Sequence, residues 1–120
     1  MQTSELKALE SNARRASVLL KAMGNPHRLM ILCQLVKGEK CVSELERIVG
    51  LSQSALSQHL AKLRQLKLVQ TRRQAQTIYY GLAGGEAAAV IETLYRLYCA
   101  DTAASLENPP AEEVEAVGAP

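Results

Sequence analysis

The segment Leu51-Ser52-Gln53-Ser54-Ala55-Leu56-Ser57-Gln58-His59-Leu60-Ala61-Lys62-Leu63 divides its residues by chemistry between two faces of one helix. Leu56, Leu60 and Leu63 recur at helical spacing and form an apolar stripe, and Ser52 suits the N-cap position. The opposite face carries short hydroxyl and amide side chains, which can reach base edges in the major groove. We therefore predict a DNA recognition helix, with an uncharged, merely solvated face as the alternative. The predicted DNA-contacting residues are Gln53, Ser54, Ser57, Gln58 and Lys62.

Length and composition indicate one globular domain, because the chain has 120 residues and 48% of them are hydrophobic. The sequence contains no apolar run of membrane-spanning length and no secretory signal at its start, so we expect a cytoplasmic protein with no membrane partner. The three cysteines show neither CxxC spacing nor Cys/His ligand spacing. This pattern argues against a disulfide scaffold, a zinc finger and a thiol enzyme. We expect no catalytic residue, no bound metal and no cofactor.

Charge is unevenly distributed along the chain, although the net charge is only +2. Residues 1–82 contain 13 Lys and Arg but only 5 Asp and Glu, whereas residues 83–120 contain one Arg and 7 acids. The basic excess coincides with the predicted recognition helix and the hairpin that follows it. Double-stranded DNA is therefore the expected partner, in preference to a random scatter of surface charge.

Four further helices are predicted, so the fold is mainly α. The first carries a narrow apolar seam from Leu6 to Met23, which is typical of helix-on-helix packing in a dimer. The second starts at Asn25-Pro26, where Asn is the cap, and ends at Gly38. A short third helix, capped by Ser43 and ended by Gly50, forms a helix-turn-helix with the recognition helix.

A β-hairpin follows the recognition helix, because the periodicity changes there from helical to alternating. Its strands are Leu68 to Arg73 and Thr77 to Leu82, around the loop Gln74-Ala75-Gln76. Arg72 and Arg73 are expected at the tip, where they and Gln74 hold DNA flanking the major groove; a solvated arginine pair is the alternative. The expected architecture is a winged helix-turn-helix of four helices, two strands and a fifth helix.

The fifth helix is predicted from Glu86 to beyond Cys99, and its apolar surface is too large for a solitary exterior helix. We expect it to complete a homodimer interface together with the first helix. The predicted domain covers residues 1–104. Residues 105–120 are acidic and show no periodicity, so we expect a disordered tail.

The segments Leu19 to Leu29 and Leu45 to Leu63, together with the hairpin, resemble the ArsR family of dimeric winged-helix repressors. The resemblance extends from residue 5 to about residue 102. Within the family, Leu32-Cys33 and Leu97-Tyr98-Cys99 resemble the persulfide-sensing branch. This resemblance implies a repressor that binds operator DNA when reduced. It also implies release when reactive sulfur species join the two cysteines of one protomer through a chain of sulfur atoms.

The chemistry of Cys33 and Cys99 is compatible with this mechanism. A direct disulfide requires Cα atoms within about 7 Å, whereas inserted sulfur atoms relax that requirement. Linkage would join the second and fifth helices, which we expect to pack together, and would change the geometry of the dimer. For either cysteine alone, a buried apolar role is the better interpretation. It is the pair, in the context of the family, that indicates a redox-sensing site.

Metal sensing is the alternative within the same fold. Cys41-Val42-Ser43 resembles the Cys-x-Cys segment of arsenite and cadmium sensors in the family, but Ser43 replaces the second thiol. Soft metals prefer thiolates, so we interpret Cys41 as an exposed turn cysteine, although a site made by all three cysteines stays open. His27 and His59 lack a second ligand at helical spacing. A helical interaction module that never contacts DNA would leave the Ser/Gln face and the two arginines unexplained.

Overall fold

The computed structural model describes residues 3–99. The elements in chain order are α1 (Thr3–Met23), α2 (Pro26–Val36), β1 (Lys40–Cys41), α3 (Val42–Val49), α4 (Gln53–Gln65), β2 (Val69–Gln74), β3 (Thr77–Leu82), α5 (Glu86–Leu94) and a π-helical segment (Tyr95–Cys99). The chain up to Ala88 forms one compact unit, and the chain from Ala89 belongs to a second. The predicted mainly α fold with a β-hairpin is confirmed. In residues 3–99, every helix is too short or too polar to span a lipid bilayer.

The start of α2 is set by the cap that the sequence predicts. The side-chain oxygen of Asn25 accepts hydrogen bonds from the backbone N–H groups of His27 and Arg28, each at 3.0 Å. Pro26 occupies the first helical position, where its lack of an N–H group costs nothing. The Arg28 Nε group also donates to the carbonyl of Ala22 at 3.0 Å. This bond ties the end of α1 to the beginning of α2.

The helix-turn-helix is built from α3 and α4 around one apolar core. Gly50 ends α3 in the left-handed conformation with φ 78°, and the Ser52 hydroxyl caps α4 by accepting the Ala55 N–H at 3.2 Å. The largest fully buried side chains come from three helices, and they are Ile31, Leu32, Leu45, Leu56, Leu60 and Leu63. The predicted leucine stripe of α4 is thus confirmed as the buried side of that helix.

The cap of α3 differs from the prediction. Cys41, and not Ser43, occupies the N-cap position, and its backbone N–H donates to the Glu44 carboxylate at 2.9 Å. Lys40 and Cys41 are extended because they pair with Tyr80 and Tyr79 of β3, so the helix starts directly after this short strand. Ser43 therefore lies inside the first turn. The strand β1 itself was not expected from the sequence.

The hairpin is part of a three-stranded antiparallel sheet with the strand order β1-β3-β2. Its register runs from Val69 opposite Leu82 to Gln74 opposite Thr77, which leaves a turn of two residues, Ala75 and Gln76. Ala75 has φ 56°, and this left-handed conformation closes the tight turn. The strand β2 continues to Gln74, one residue further than predicted, so one residue separates Arg73 from the turn and two residues separate Arg72 from it.

The junction between α4 and β2 is a Schellman motif. The N–H of Lys67 donates to the carbonyl of Arg64, and the N–H of Leu68 donates to the carbonyl of Leu63, both at 3.0 Å. Lys67 adopts a left-handed φ of 63° to make this turn. The buried Val69 follows at once, so the motif connects the end of α4 directly to β2.

The last described helical residues belong to α5 and the π-helical segment. The helix was expected to continue beyond Cys99; its α-helical part ends at Leu94, and the segment to Cys99 is π-helical. The Thr93 hydroxyl donates to the carbonyl of Ala89 at 3.1 Å within this unit. The predicted boundary at residue 104 and the acidic tail 105–120 lie outside the described residues.

Candidate nucleic-acid interface and cysteine sites

The polar face of α4 lies at the surface, as the sequence predicts. Leu56, Leu60 and Leu63 are almost completely buried on the other side of the helix, so they fix its rotation about its own axis. The side chains on the outward face are all exposed, and they are Gln53, Ser54, Ser57, Gln58 and Lys62. Within residues 3–99 none of these five side chains takes part in a hydrogen bond or an ion pair. Their donors and acceptors are therefore available to an external partner.

The β2–β3 hairpin, which is the wing of this fold, places its two arginines in different environments. The Arg72 guanidinium donates to the Glu39 carboxylate from Nη2 at 2.8 Å and from Nε at 3.0 Å, and to Gln74 Oε1 from Nη1 at 2.9 Å. It also lies 4.9 Å from the ring centroid of Tyr79. Hydrogen bonding to Arg72 lowers the pKa of Glu39, so this carboxylate stays charged. Arg73 is exposed, and among the described residues its side chain has no hydrogen-bonding or charged partner.

Sequence reasoning missed Glu39 and Gly81 as parts of the wing. Glu39 lies 33 residues before Arg72, and no local pattern links the two. A Cβ atom added to Gly81 would lie 3.2 Å from Glu39 Cγ, so this glycine provides the space that the Glu39 side chain occupies. The only available signal was the glycine within an otherwise alternating strand, which often marks a close approach.

The two histidines contact each other between α2 and α4. Their ring centroids are 5.7 Å apart, with an interplanar angle of 37°. Burial lowers the pKa of His59, and the positive charges of Arg28 and His27 lower it further. His59 therefore favours its neutral form. Across residues 3–99, no three His, Cys, Asp or Glu side chains are grouped as metal ligands.

The predicted sensing cysteines lie in different compact units. Cys33 is half-buried on α2, in the unit that ends at Ala88, whereas Cys99 is exposed at the end of the π-helical segment. Neither cysteine is in a disulfide. Their linkage stays a prediction.

Cys41 is the N-cap of α3 and not the exposed turn residue that was expected. It is half-buried, and its Sγ lies 3.3 Å from the Ser43 hydroxyl. Its backbone N–H and its thiol both hydrogen-bond to Glu44 and lower the pKa of that carboxyl group. Cys41 and Ser43 thus meet, but a hydroxyl group is a poor ligand for a soft metal. The role of Cys41 in this structure is to cap α3, the first helix of the helix-turn-helix.

Comparisons with known proteins agree with this architecture. A family model described as "Bacterial regulatory protein, arsR family" matches residues 25–71. The transcriptional activator HlyU of Vibrio cholerae is 55% identical over 94 residues, which cover 78% of this chain and 87% of that relative. The biofilm growth-associated repressor of Agrobacterium fabrum is 45% identical over 95 residues, which cover 79% of this chain and 81% of that relative.

Two solved structures show the same fold. Reduced HlyU from Vibrio cholerae has a TM-score of 0.73 and 55% sequence identity, covering 78% of this chain and 98% of that chain. The transcriptional repressor BigR from Xylella fastidiosa has a TM-score of 0.72 and 41% identity, covering 78% of this chain and 96% of that chain. These values extend the similarity over the helix-turn-helix and the wing together.

Proposed function

This chain belongs to the ArsR family of bacterial transcriptional regulators, and we propose that it is a cytoplasmic homodimeric repressor that binds operator DNA in its reduced state. It is a regulator and not an enzyme. ArsR-family regulators bind DNA.

The observation that carries the DNA-binding proposal is the uniform exposure of the polar face of α4. Gln53, Ser54, Ser57, Gln58 and Lys62 present amide, hydroxyl and ammonium groups, with the helix rotation fixed by the buried leucines behind them. In a two-fold dimer, two such helices meet successive major grooves about 34 Å apart. We assign base reading to this face and contacts with flanking DNA to the β2–β3 hairpin, which carries Arg72, Arg73 and Gln74.

Exposed apolar side chains support a homodimer through α1 and α5. Leu6, Leu9, Val18 and Leu20 are exposed on α1. Tyr95, Leu97 and Tyr98 are exposed in the π-helical segment after α5. Large apolar surfaces of this kind mark interfaces in soluble proteins, because leaving them in water is unfavourable.

The proposed signal is a persulfide or polysulfide that reacts with Cys33 and Cys99. One thiolate attacks a polysulfide, keeps part of its sulfur chain and expels a shorter polysulfide. The second thiolate attacks a sulfur atom within the retained chain and expels hydrosulfide, so the two cysteines become linked through extra sulfur. The linkage changes the orientation of the protomers and disturbs both DNA half-sites together.

A band-shift titration tests this function. The probe is a duplex from the region upstream of the protein's own gene, and a scrambled duplex is the control. We expect the reduced protein to retard the upstream duplex and sodium tetrasulfide to release it, whereas arsenite and hydrogen peroxide have little effect. Release by arsenite but not by tetrasulfide would replace the sulfur mechanism with metal sensing. Equal affinity for both duplexes would contradict the operator assignment.

A further inference from the structure

One face of the three-stranded sheet carries a side-chain bridge across its central strand. The register places Cys41, Tyr79 and Arg72 side by side on β1, β3 and β2. Gly81 lies two residues further along β3, and the side chain of Glu39, the residue that precedes β1, lies against it. Because Gly81 has no side chain, Glu39 reaches over the central strand and meets Arg72 of the far strand at 2.8 Å.

The donors of Arg72 are largely engaged in this bridge. Nε and Nη2 donate to Glu39, Nη1 donates to Gln74, and the guanidinium group lies over Tyr79. The charge of Glu39 also offsets that of Arg72, so the pair contributes little net attraction for a polyanion. A DNA phosphate would have to displace several existing contacts to bind Arg72.

Arg73 differs from its neighbour in every one of these respects. Successive strand residues point to opposite faces, so Arg73 lies on the face that carries the buried Val69. The strand β2 also packs against helix α4. The Arg73 side chain is exposed, and it has no charged or hydrogen-bonding partner among residues 3–99.

We propose that these adjacent arginines have separate roles, which is an assignment that rests on the proposed DNA-binding function. Arg73 contacts a phosphate or the minor groove of the flanking DNA. Arg72 is a positioning residue: with Glu39 it holds β2 to the segment that leads into α3, and so fixes the hairpin relative to the helix-turn-helix. Holding the hairpin in place before binding reduces the ordering cost of DNA association.

A double-mutant cycle separates positioning from contact. The variants are Glu39→Gln, Arg72→Gln, the double variant, and Arg73→Gln, each measured for affinity on the upstream duplex over a series of salt concentrations. Arg73→Gln should flatten the log-log salt dependence by about 0.9, the value for one lost phosphate contact. Glu39→Gln and Arg72→Gln should each weaken binding by about two- to fivefold, because exposed ion pairs are modest, with the salt slope unchanged. The double variant should bind no more weakly than either single variant.

The opposite role for Arg72 predicts effects of opposite sign. If Glu39 merely competes with DNA for Arg72, Glu39→Gln would tighten binding and steepen the salt dependence, and this result would overturn the inference alone. A wild-type protein that shows no salt-dependent binding to any duplex would overturn both the inference and the proposed function. Circular dichroism at the assay temperature checks that each variant is folded, so a loss of stability cannot produce the affinity changes.

Discussion

The imidazole rings of His27 and His59 lie 5.7 Å apart and connect the first turn of α2 with the middle of the recognition helix α4. Burial holds the pKa of His59 below its ordinary value, with Arg28 and His27 adding repulsion. Protonation of His59 is therefore costly in the folded state. We therefore expect the packing of α4 against α2 to weaken under mildly acidic conditions.

The first prediction concerns the pH dependence of stability. Above the ordinary histidine pKa of about 6.5, neither the folded nor the unfolded state binds this proton to a large extent, and the free energy of unfolding keeps its full value. As the pH falls, the unfolded state binds the proton more readily than the folded state, so the free energy of unfolding decreases. His59→Gln should reduce the loss in the free energy of unfolding between about pH 7 and pH 5. Urea denaturation at a series of pH values measures this. His27→Gln is the control and should keep most of the loss, because burial is the principal cause; identical profiles for His59→Gln and wild type would disprove the assignment.

The second prediction concerns the turn between α4 and β2. Lys67 adopts φ 63°, where a Cβ atom is unfavourable and glycine is not. Lys67→Gly should increase the free energy of unfolding by about 0.5–1 kcal/mol, which is the strain relieved less the added entropy of the unfolded chain. Chemical denaturation is the measurement. Lys67→Ala removes the charge but keeps the Cβ atom, so it should give no such gain; an equal gain would attribute the effect to charge.

The third prediction separates base reading from phosphate contact on α4. Gln58→Ala should reduce discrimination at one base pair by about 1–3 kcal/mol, because a bidentate amide contact is lost. Lys62→Ala should weaken binding to every duplex and flatten the salt slope by about 0.9. Titrations of upstream and singly substituted duplexes measure both effects. Lys37, exposed after α2 and outside this face, provides the matched control; the same slope change for Lys37→Ala would show that only overall charge matters.

The fourth prediction concerns assembly. Leu20 on α1 is 59% exposed, so a charge placed there is tolerated by an isolated protomer but not by an apolar interface. Leu20→Glu should shift the protein from dimer to monomer at micromolar concentration in sedimentation velocity experiments. Ile48→Glu places the same charge on an exposed apolar position of α3 and should leave the dimer intact. A folded monomeric wild type would refute the proposed interface.

The fifth prediction concerns the cysteines. Cys33→Ser and Cys99→Ser should bind DNA as wild type does and should stay bound when tetrasulfide is added. Cys41→Ser should be released by tetrasulfide like wild type, because Cys41 serves as a helix cap. A tenfold release requires the linkage to disfavour the DNA-bound state by about 1.4 kcal/mol. Mass spectrometry should find a Cys33–Cys99 cross-link heavier than a disulfide by one or more sulfur atoms. A cross-link through Cys41 would show that the sensing pair is wrongly assigned.

Local sequence signals were sufficient for most of the helical framework. The cap at Asn25, the cap at Ser52 and the leucine stripe of α4 each depend on residues within one or two helical turns. Hydrogen bonds and periodicities over so short a distance can be predicted from the local sequence alone. The same reasoning identified the exposed polar face of α4, because a buried stripe leaves the opposite side of a helix in solvent.

The remaining features depend on contacts between residues far apart in the chain. Cys41, and not the predicted Ser43, is the N-cap of α3 because pairing with β3 holds Lys40 and Cys41 extended. That pairing cannot be predicted from the neighbouring residues. The Arg72–Glu39 bridge likewise exists only because the strand register and the space at Gly81 bring the two side chains together. Nearest-neighbour chemistry therefore determined helix α4 and its exposed polar face. The different environments of Arg72 and Arg73 followed from strand pairing, in which a shift of one residue moves a side chain to the opposite face.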